Sequence, residues 1–416
     1  MDHTSFRSFS QWRFLFLIMS CCTFNSAITK GQGWEKPYQG NDPSVLYYPD
    51  QNAVYFRYAW ENAKGQGLVI KGKIPDARYF SYNLYNDLTK GSITALSDLE
   101  IIPDEGDPSS YTIRIVPEGQ SSNSNNTIIL PDSIKNASVF LRYYLANGNI
   151  YANRPLPALY KVKNGELETP GPSIPIAQMT QEDMARLKTQ IISNPSIITG
   201  KERKILASPA STSSEKEPIV CKVMTIPVFR HFKDPQKISS YNFNSSGNYP
   251  NKDNHYILMP VVRKKKDDVL LVRFKAPQHA ESLGDRSKDV RYFSLSEGDE
   301  YTHTSLTLHD SKLHISDDGF IYVAVGNDAK EVKEKAKDLG VNFMPWLHKE
   351  KLVLILRHML PSPDFKQSIR EVPLFSNMKP AVGQEAELSI GEYALIGKLI
   401  KKATWKSSKN LVQLGF

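Results

Sequence analysis

Residues 76–81 read DARYFS, and residues 289–294 read DVRYFS. A chain that writes nearly the same hexapeptide twice is building nearly the same strand twice. Landmarks on either side recur with it. AVYFRYAW (53–60) and DVLLVRFKA (268–276) are strand-like runs that each enclose an arginine, Arg57 and Arg273. SDLEIIPDEG (97–106) leads into SYTIRIVPEG (110–119), and HDSKLHISDDG (309–319) leads into FIYVAVGND (320–328). Each reads as a short strand, an acidic glycine turn and a second strand, the pattern of a β-hairpin. ASVFLRYYLANG (137–148) and KLVLILRHMLPS (351–362) again hold an arginine in an apolar strand, Arg142 and Arg357. NRPLPAL (153–159) and REVPLF (370–375) close the two units. The same order at a nearly constant offset points to a tandem duplication of one β-domain.

Composition agrees with this reading. Of 416 residues, 40% are hydrophobic, and the aromatics lean to Tyr (20) and Phe (18), with Gly 23 and Pro 26. That mix favours strands and turns. Helical stretches are too few to cover both faces of a parallel sheet. The fold expected is mainly β: two tandemly duplicated antiparallel β-sandwich domains, jelly-roll-like, with short linker and C-terminal helices.

The N-terminus reads as an address. Arg7 and Arg13 precede the apolar run FLFLIMSCCTF (14–24), and NSA (25–27) offers small residues for cleavage after Ala27. The run is shorter than the roughly 20 apolar residues a bilayer span needs. A cleaved signal peptide over 1–27 implies a secreted or periplasmic protein; a lipid anchor at Cys21 is the weaker reading, because Met19 fits a lipoprotein box poorly. With Cys21 and Cys22 in the signal, Cys221 remains as a single thiol in an apolar stretch, which reads as buried and inert.

The expected organisation then runs as follows: a lead-in over 28–44, a first sandwich over 45–165, and a linker over 166–254 with a helix at 179–193. A second sandwich spans 255–376, and a basic segment spans 377–416. DAKEVKEKAKDLG (328–340) reads as a helix inserted in the second unit, where the first has only a polar loop. EYALIGKLIKKATWKSSKN (392–410) reads as an amphipathic basic helix. Docking on the second sandwich and contact with an anionic membrane are its two readings.

Within the repeated hexapeptide, Asp76 and Asp289 stand two residues ahead of Arg78 and Arg291. An Asp there caps a turn and pairs with the arginine on the same strand face. The functional alternative places Arg78, Tyr79, Arg291 and Tyr292 on exposed surface at the cleft between the domains, binding a small molecule, polymer or protein. All but one of the nine histidines lie at 231 or beyond. The spacing of His303, His309 and His314 does not suit a metal site, and PDEGDP (103–108) lacks the ligand spacing of an EF-hand. Nucleophile elbows, phosphate loops and dinucleotide-binding glycine runs are missing from the sequence, so no metal, cofactor or nucleic acid is expected.

The segments PDARYFSYNLYND, SYTIRIVP, NTIILPD, VFLRYYLANG and RPLPAL resemble a family of uncharacterised bacterial secreted and envelope proteins. The likeness covers 45–165 well and 255–376 less well. It implies jelly-roll-like sandwich domains and an exported location, and it implies no activity. The function expected is a secreted or periplasmic binding or interaction protein. The alternative is an extracellular hydrolase or lyase on the same scaffold, for which Asp98, Tyr85, His309 and His314 are the candidate groups.

Overall fold

A computed structural model describes residues 33–40, 48–63, 66–120, 124–146, 151–174, 205–207, 219–221, 241–242, 249–263, 265–299, 303–327, 330–373 and 385–416. The expected signal peptide and the helix at 179–193 lie outside these residues. The first half contains β1 (Tyr38–Gln39), β2 (Ala53–Glu61), β3 (Gln66–Lys73), β4 (Tyr79–Asn86), β5 (Gly91–Ser97), β6 (Ser110–Pro117), β7 (Thr127–Leu130), β8 (Asn136–Tyr144), β9 (Ala158–Lys163) and β10 (Glu166–Glu168). A separate pair, β11 (Ile205–Ala207) and β12 (Ile219–Cys221), follows. The second half contains β13 (Tyr241–Asn242), β14 (Asn254–Val262), β15 (Val269–Lys275), β16 (Tyr292–Gly298), β17 (Thr304–His309), β18 (Phe320–Gly326), β19 (Asn342–Pro345), β20 (Lys351–Met359) and β21 (Ile396–Ile400).

Each half is a two-sheet sandwich, and the strand order repeats. One sheet runs β1-β2-β8-β4-β5 in the first half and β13-β14-β20-β16-β17 in the second; these are the junction sheets. The other runs β10-β9-β3-β6-β7 in the first half and β19-β18-β15-β21 in the second. Read from the other edge, β21-β15-β18-β19 occupies the places of β9-β3-β6-β7. Pairing is antiparallel except at β6–β7 and β18–β19, which are parallel in both halves. A β-bulge falls between Leu84 and Tyr85 on β4, and another between Glu297 and Gly298 on β16. These are the same positions of the hexapeptide strand.

Several expectations change. Arg57 lies on β2, whose counterpart is β14, whereas Arg273 lies on β15, the counterpart of β3. The two arginines are therefore not equivalent. The acidic turns at 97–109 and 310–319 are not hairpins, because β5 and β6, and likewise β17 and β18, belong to different sheets. The turns carry the chain from one layer to the other. The C-terminal segment is not a long helix: Ile396–Ile400 forms β21, which pairs antiparallel with β15 inside the second sandwich. A short apolar run such as ALIGKLI fits either period, and the free edge of β15 decides it.

The inner faces make two separate cores. Phe56, Phe80, Tyr82, Leu84, Ile113 and Leu141 belong to the first, and Met259, Phe274, Phe293, Leu295, Val323 and Leu354 to the second. The helix expected at 328–340 forms over Lys330–Asp338. It buries Val332 and Ala336 on the outer side of the β15–β18 sheet, where Trp405 and Leu414 from the C-terminus join them. None of the described helices is long and apolar enough to cross a membrane.

Candidate functional site

The junction sheets do not alternate between core and water. Tyr79–Tyr85 on β4, Ala137–Tyr144 on β8 and Leu352–Met359 on β20 are buried at every position. A strand covered on both faces reads this way, and here the second cover is the other half of the molecule. Ala53, Tyr79 and Tyr144 from the first half cluster with Tyr292 and Met359 from the second. The Tyr144 and Tyr292 rings meet edge-on with centroids 5.5 Å apart.

The polar contacts across this junction are reciprocal. Arg78 Nη1 donates to Asp310 Oδ1 at 2.5 Å, and Arg291 Nη1 donates to Asp98 Oδ2 at 2.5 Å. Both pairs are out of water, with side-chain exposures of 9% and 0% for the first and 1% and 2% for the second. Burial alone would push the Asp310 carboxyl up. The neighbouring His309 and the Arg78 charge outweigh it and hold the group at about 2.

Two straps preceding β2 and β14 complete the exchange. YPDQN (48–52) crosses to the second junction sheet, and YPNKD (249–253) crosses to the first. Tyr48 and Tyr249 both have positive φ, 52° and 53°. The Tyr292 hydroxyl donates to Asp50 Oδ2 at 2.9 Å and accepts from Asn52 Nδ2 at 3.2 Å. The Tyr79 hydroxyl donates to Asp253 Oδ2 at 2.6 Å and accepts from Asn251 Nδ2 at 3.1 Å. Burial, with the adjacent carboxylate, pushes both phenols well above their ordinary range, so both stay protonated donors. Burial also raises the Asp253 carboxyl to about 6, with the Tyr79 hydrogen bond pulling the other way.

Arg78, Tyr79, Arg291 and Tyr292 are therefore brought together, but not on exposed surface. They close the space between the sandwiches. The same-strand pairing expected for the hexapeptide also changes: Asp76 accepts from Asn153 Nδ2, and Asp289 accepts from the Gln278 N–H. A charged group one domain away is the stronger partner once both are desolvated.

The halves differ in how they partner one buried arginine. Arg142 on β8 and Arg357 on β20 face the junction side of their sheets at equivalent positions, opposite Ser81 and Ser294 respectively. Arg357 donates to Ser296 Oγ at 2.5 Å and to the Tyr48 carbonyl, and lies 3.6 Å from Asp50 Oδ2. Arg142 donates to the Tyr249 carbonyl at 2.9 Å, but its Nε and Nη1 have no acceptor. It is 3% exposed and sits among the rings of Tyr55, Tyr85 and Phe140, 5.5–5.7 Å from their centroids. Asn83 Oδ1 and Ser138 Oγ, on the same sheet face, are also buried without a partner.

The groups considered for an enzyme do not converge. Asp98 holds Arg291, and Tyr85 donates to the Pro250 carbonyl at 2.7 Å. His309 lies beside Asp310 and the Tyr292 ring, while the His314 backbone pairs with the Asn342 amide. One trio was missed from the sequence. His348 Nε2 lies 3.1 Å from Ser305 Oγ and 3.6 Å from Glu297 Oε1. Both approach the same imidazole nitrogen, so the trio is not a Ser–His–acid relay, in which the two partners take opposite nitrogens. Burial pushes the Glu297 carboxyl up to about 8, against the Leu347 N–H and the Arg263 charge. No cluster of three or more His, Cys, Asp or Glu side chains among the described residues is arranged to hold a metal.

No known protein family matches the sequence, and no curated protein matches it. Among solved structures, an uncharacterised protein of Burkholderia cenocepacia superposes with a TM-score of 0.48 at 10% identity, covering 91% of this chain and 85% of its own. A protein of Vibrio parahaemolyticus superposes with a TM-score of 0.42 at 12% identity, covering 88% and 92%. These two structural neighbours are uncharacterised bacterial proteins.

Proposed function

We propose that this chain is an exported, secreted or periplasmic, binding protein whose two sandwiches work as one body. Export rests on the basic start, apolar run and small-residue site of residues 1–27. A tandem duplication accounts for the shared strand order and the reciprocal contacts. The observation that most supports binding is the chemistry of the first junction face. Tyr85 and Ser138 line it where the second has Gly298 and Val353, and Ser81, Asn83 and Arg142 are matched there by Ser294, Ser296 and Arg357. In the first face Asn83 Oδ1, Ser138 Oγ and two nitrogens of Arg142 are buried without a partner, and a face built only to be buried disfavours this, since an unpaired polar atom there costs about 1–3 kcal/mol.

Native and denaturing mass spectrometry of the full chain, produced by export from a bacterial host, tests this reading. The expected result is a noncovalent mass excess under native conditions that disappears on denaturation. Equal masses under both conditions, with no thermal shift in a panel of small sugars, carboxylates and phosphates, would overturn it.

A further inference from the structure

We propose that Arg142 is an anion-binding residue that takes a small organic carboxylate against the junction face of β4 and β8. The inference rests on the binding reading above and names its site and ligand class. It comes from comparing two equivalent places within one molecule. In the second half, Arg357 has a carboxylate at hand, Asp50, supplied by the YPDQN strap. The strap that crosses to the first half reads YPNKD, so the order of acid and amide is reversed.

The equivalence of the straps is fixed by their hydrogen bonds. The Asn52 N–H donates to Asp50 Oδ1 and the Asp253 N–H to Asn251 Oδ1. The Leu145 N–H donates to the Asn52 carbonyl and the Leu360 N–H to the Asp253 carbonyl. Asn251 therefore stands where Asp50 stands. The carboxylate of Asp253 is engaged with Tyr79 and feels the Arg142 charge without a direct hydrogen bond to it. Ser296, the other acceptor of Arg357, is replaced by Asn83, whose amide nitrogen donates to Ser81 Oγ.

Arg142 is thus a buried cation with the strap carbonyl and three aromatic rings around it; the Asp253 charge acts on it through space, but no carboxylate of the described residues lies within 4 Å of it. Among the described residues the other buried junction arginines, Arg291 and Arg357, and Arg57 beside the junction each have a carboxylate within 4 Å. Ring faces offset only part of the desolvation of a guanidinium. The chemistry that completes the sister site is a carboxylate. An enclosed site also favours a monoanion over a doubly charged phosphate, whose desolvation is greater. Ser138 Oγ adds a hydroxyl donor on the same face.

The test is thermal unfolding of the full chain in sodium acetate, sodium chloride and sodium phosphate at matched ionic strength. The comparison protein carries Asn251→Asp with Asp253→Asn, which writes the acid–amide order of YPDQN into YPNKD. For the native chain, a saturable rise in Tm of a few degrees in acetate alone is expected. The exchanged strap is expected to raise Tm in chloride and to remove the acetate response. Equal shifts in all three salts, a response to phosphate alone, or an acetate response that survives the exchange would overturn the proposal. A native mass excess that survives the exchange defeats this site and leaves the binding reading standing. Absence of any bound species defeats both.

Discussion

Arg78 reaches from the first sandwich to Asp310 in the second, and Arg291, its equivalent, reaches from the second to Asp98 in the first. Asp98 and Asp310 close the hexapeptide sheets at matching places, so one contact is made twice. Removing one carboxylate strands a buried guanidinium. Asp98→Asn is expected to destabilise the chain by about 3–5 kcal/mol, read from the urea midpoint, whereas Asp98→Leu combined with Arg291→Met should recover most of that loss. A loss below 1 kcal/mol for the single change would mean that the pair is hydrated in solution.

The Tyr79 hydroxyl is the hydrogen bond that restrains the Asp253 carboxyl against burial. Tyr79→Phe should therefore move the Asp253 titration above about 6, as followed by carboxyl carbon chemical shifts. A downward move would show that the strap leaves the sheet when the hydroxyl is lost.

Glu297 stands where the first half has Leu84 and is buried with Oε2 unpartnered. Its folded pKa, about 8, lies above the ordinary 4.5. The folded state thus holds the proton over a range where the unfolded chain releases it. Its contribution to stability is fully present below about pH 4.5 and is lost as pH rises toward 8. Glu297→Gln should flatten the decline in stability across that window and gain up to a few kcal/mol at pH 8. An unchanged pH profile would contradict this.

The C-terminal segment is part of the second sandwich through β21 and through Trp405, which is 1% exposed beside Val332, Ala336 and Tyr322. Trp405→Ala should cost about 3–5 kcal/mol. Lys402 and Lys406 already pair with Asp267 and Glu331. A variant with native stability would place this segment off the sandwich.

The hexapeptide made the repeated strand legible because β4 and β16 keep their aromatic and small residues in register. The equivalence of Arg142 and Arg357 was legible for the same reason. The partners of Arg78 and Arg291 were not, because they lie 232 and 193 residues away and local spacing speaks only for Asp76 and Asp289. Arg57 misled the comparison because its true counterpart on β14 is Leu258, which left Arg273 as the nearest match by appearance. The straps could have been found: Tyr-Pro at 48–49 and 249–250, each followed by an Asp–Asn pair in opposite order, stands just ahead of β2 and β14. β21 was read at a helical period because nothing local reports the open edge of β15.

The central claim is that reciprocal contacts join two sandwiches into one cooperative unit, and calorimetry tests it most directly. The described structure predicts a single transition for the native chain, with calorimetric and van't Hoff enthalpies equal. It also predicts two resolved transitions when Asp98→Asn and Asp310→Asn are combined. Two transitions in the native chain, or a doubly substituted chain that still melts as one unit at an unchanged Tm, would contradict the claim.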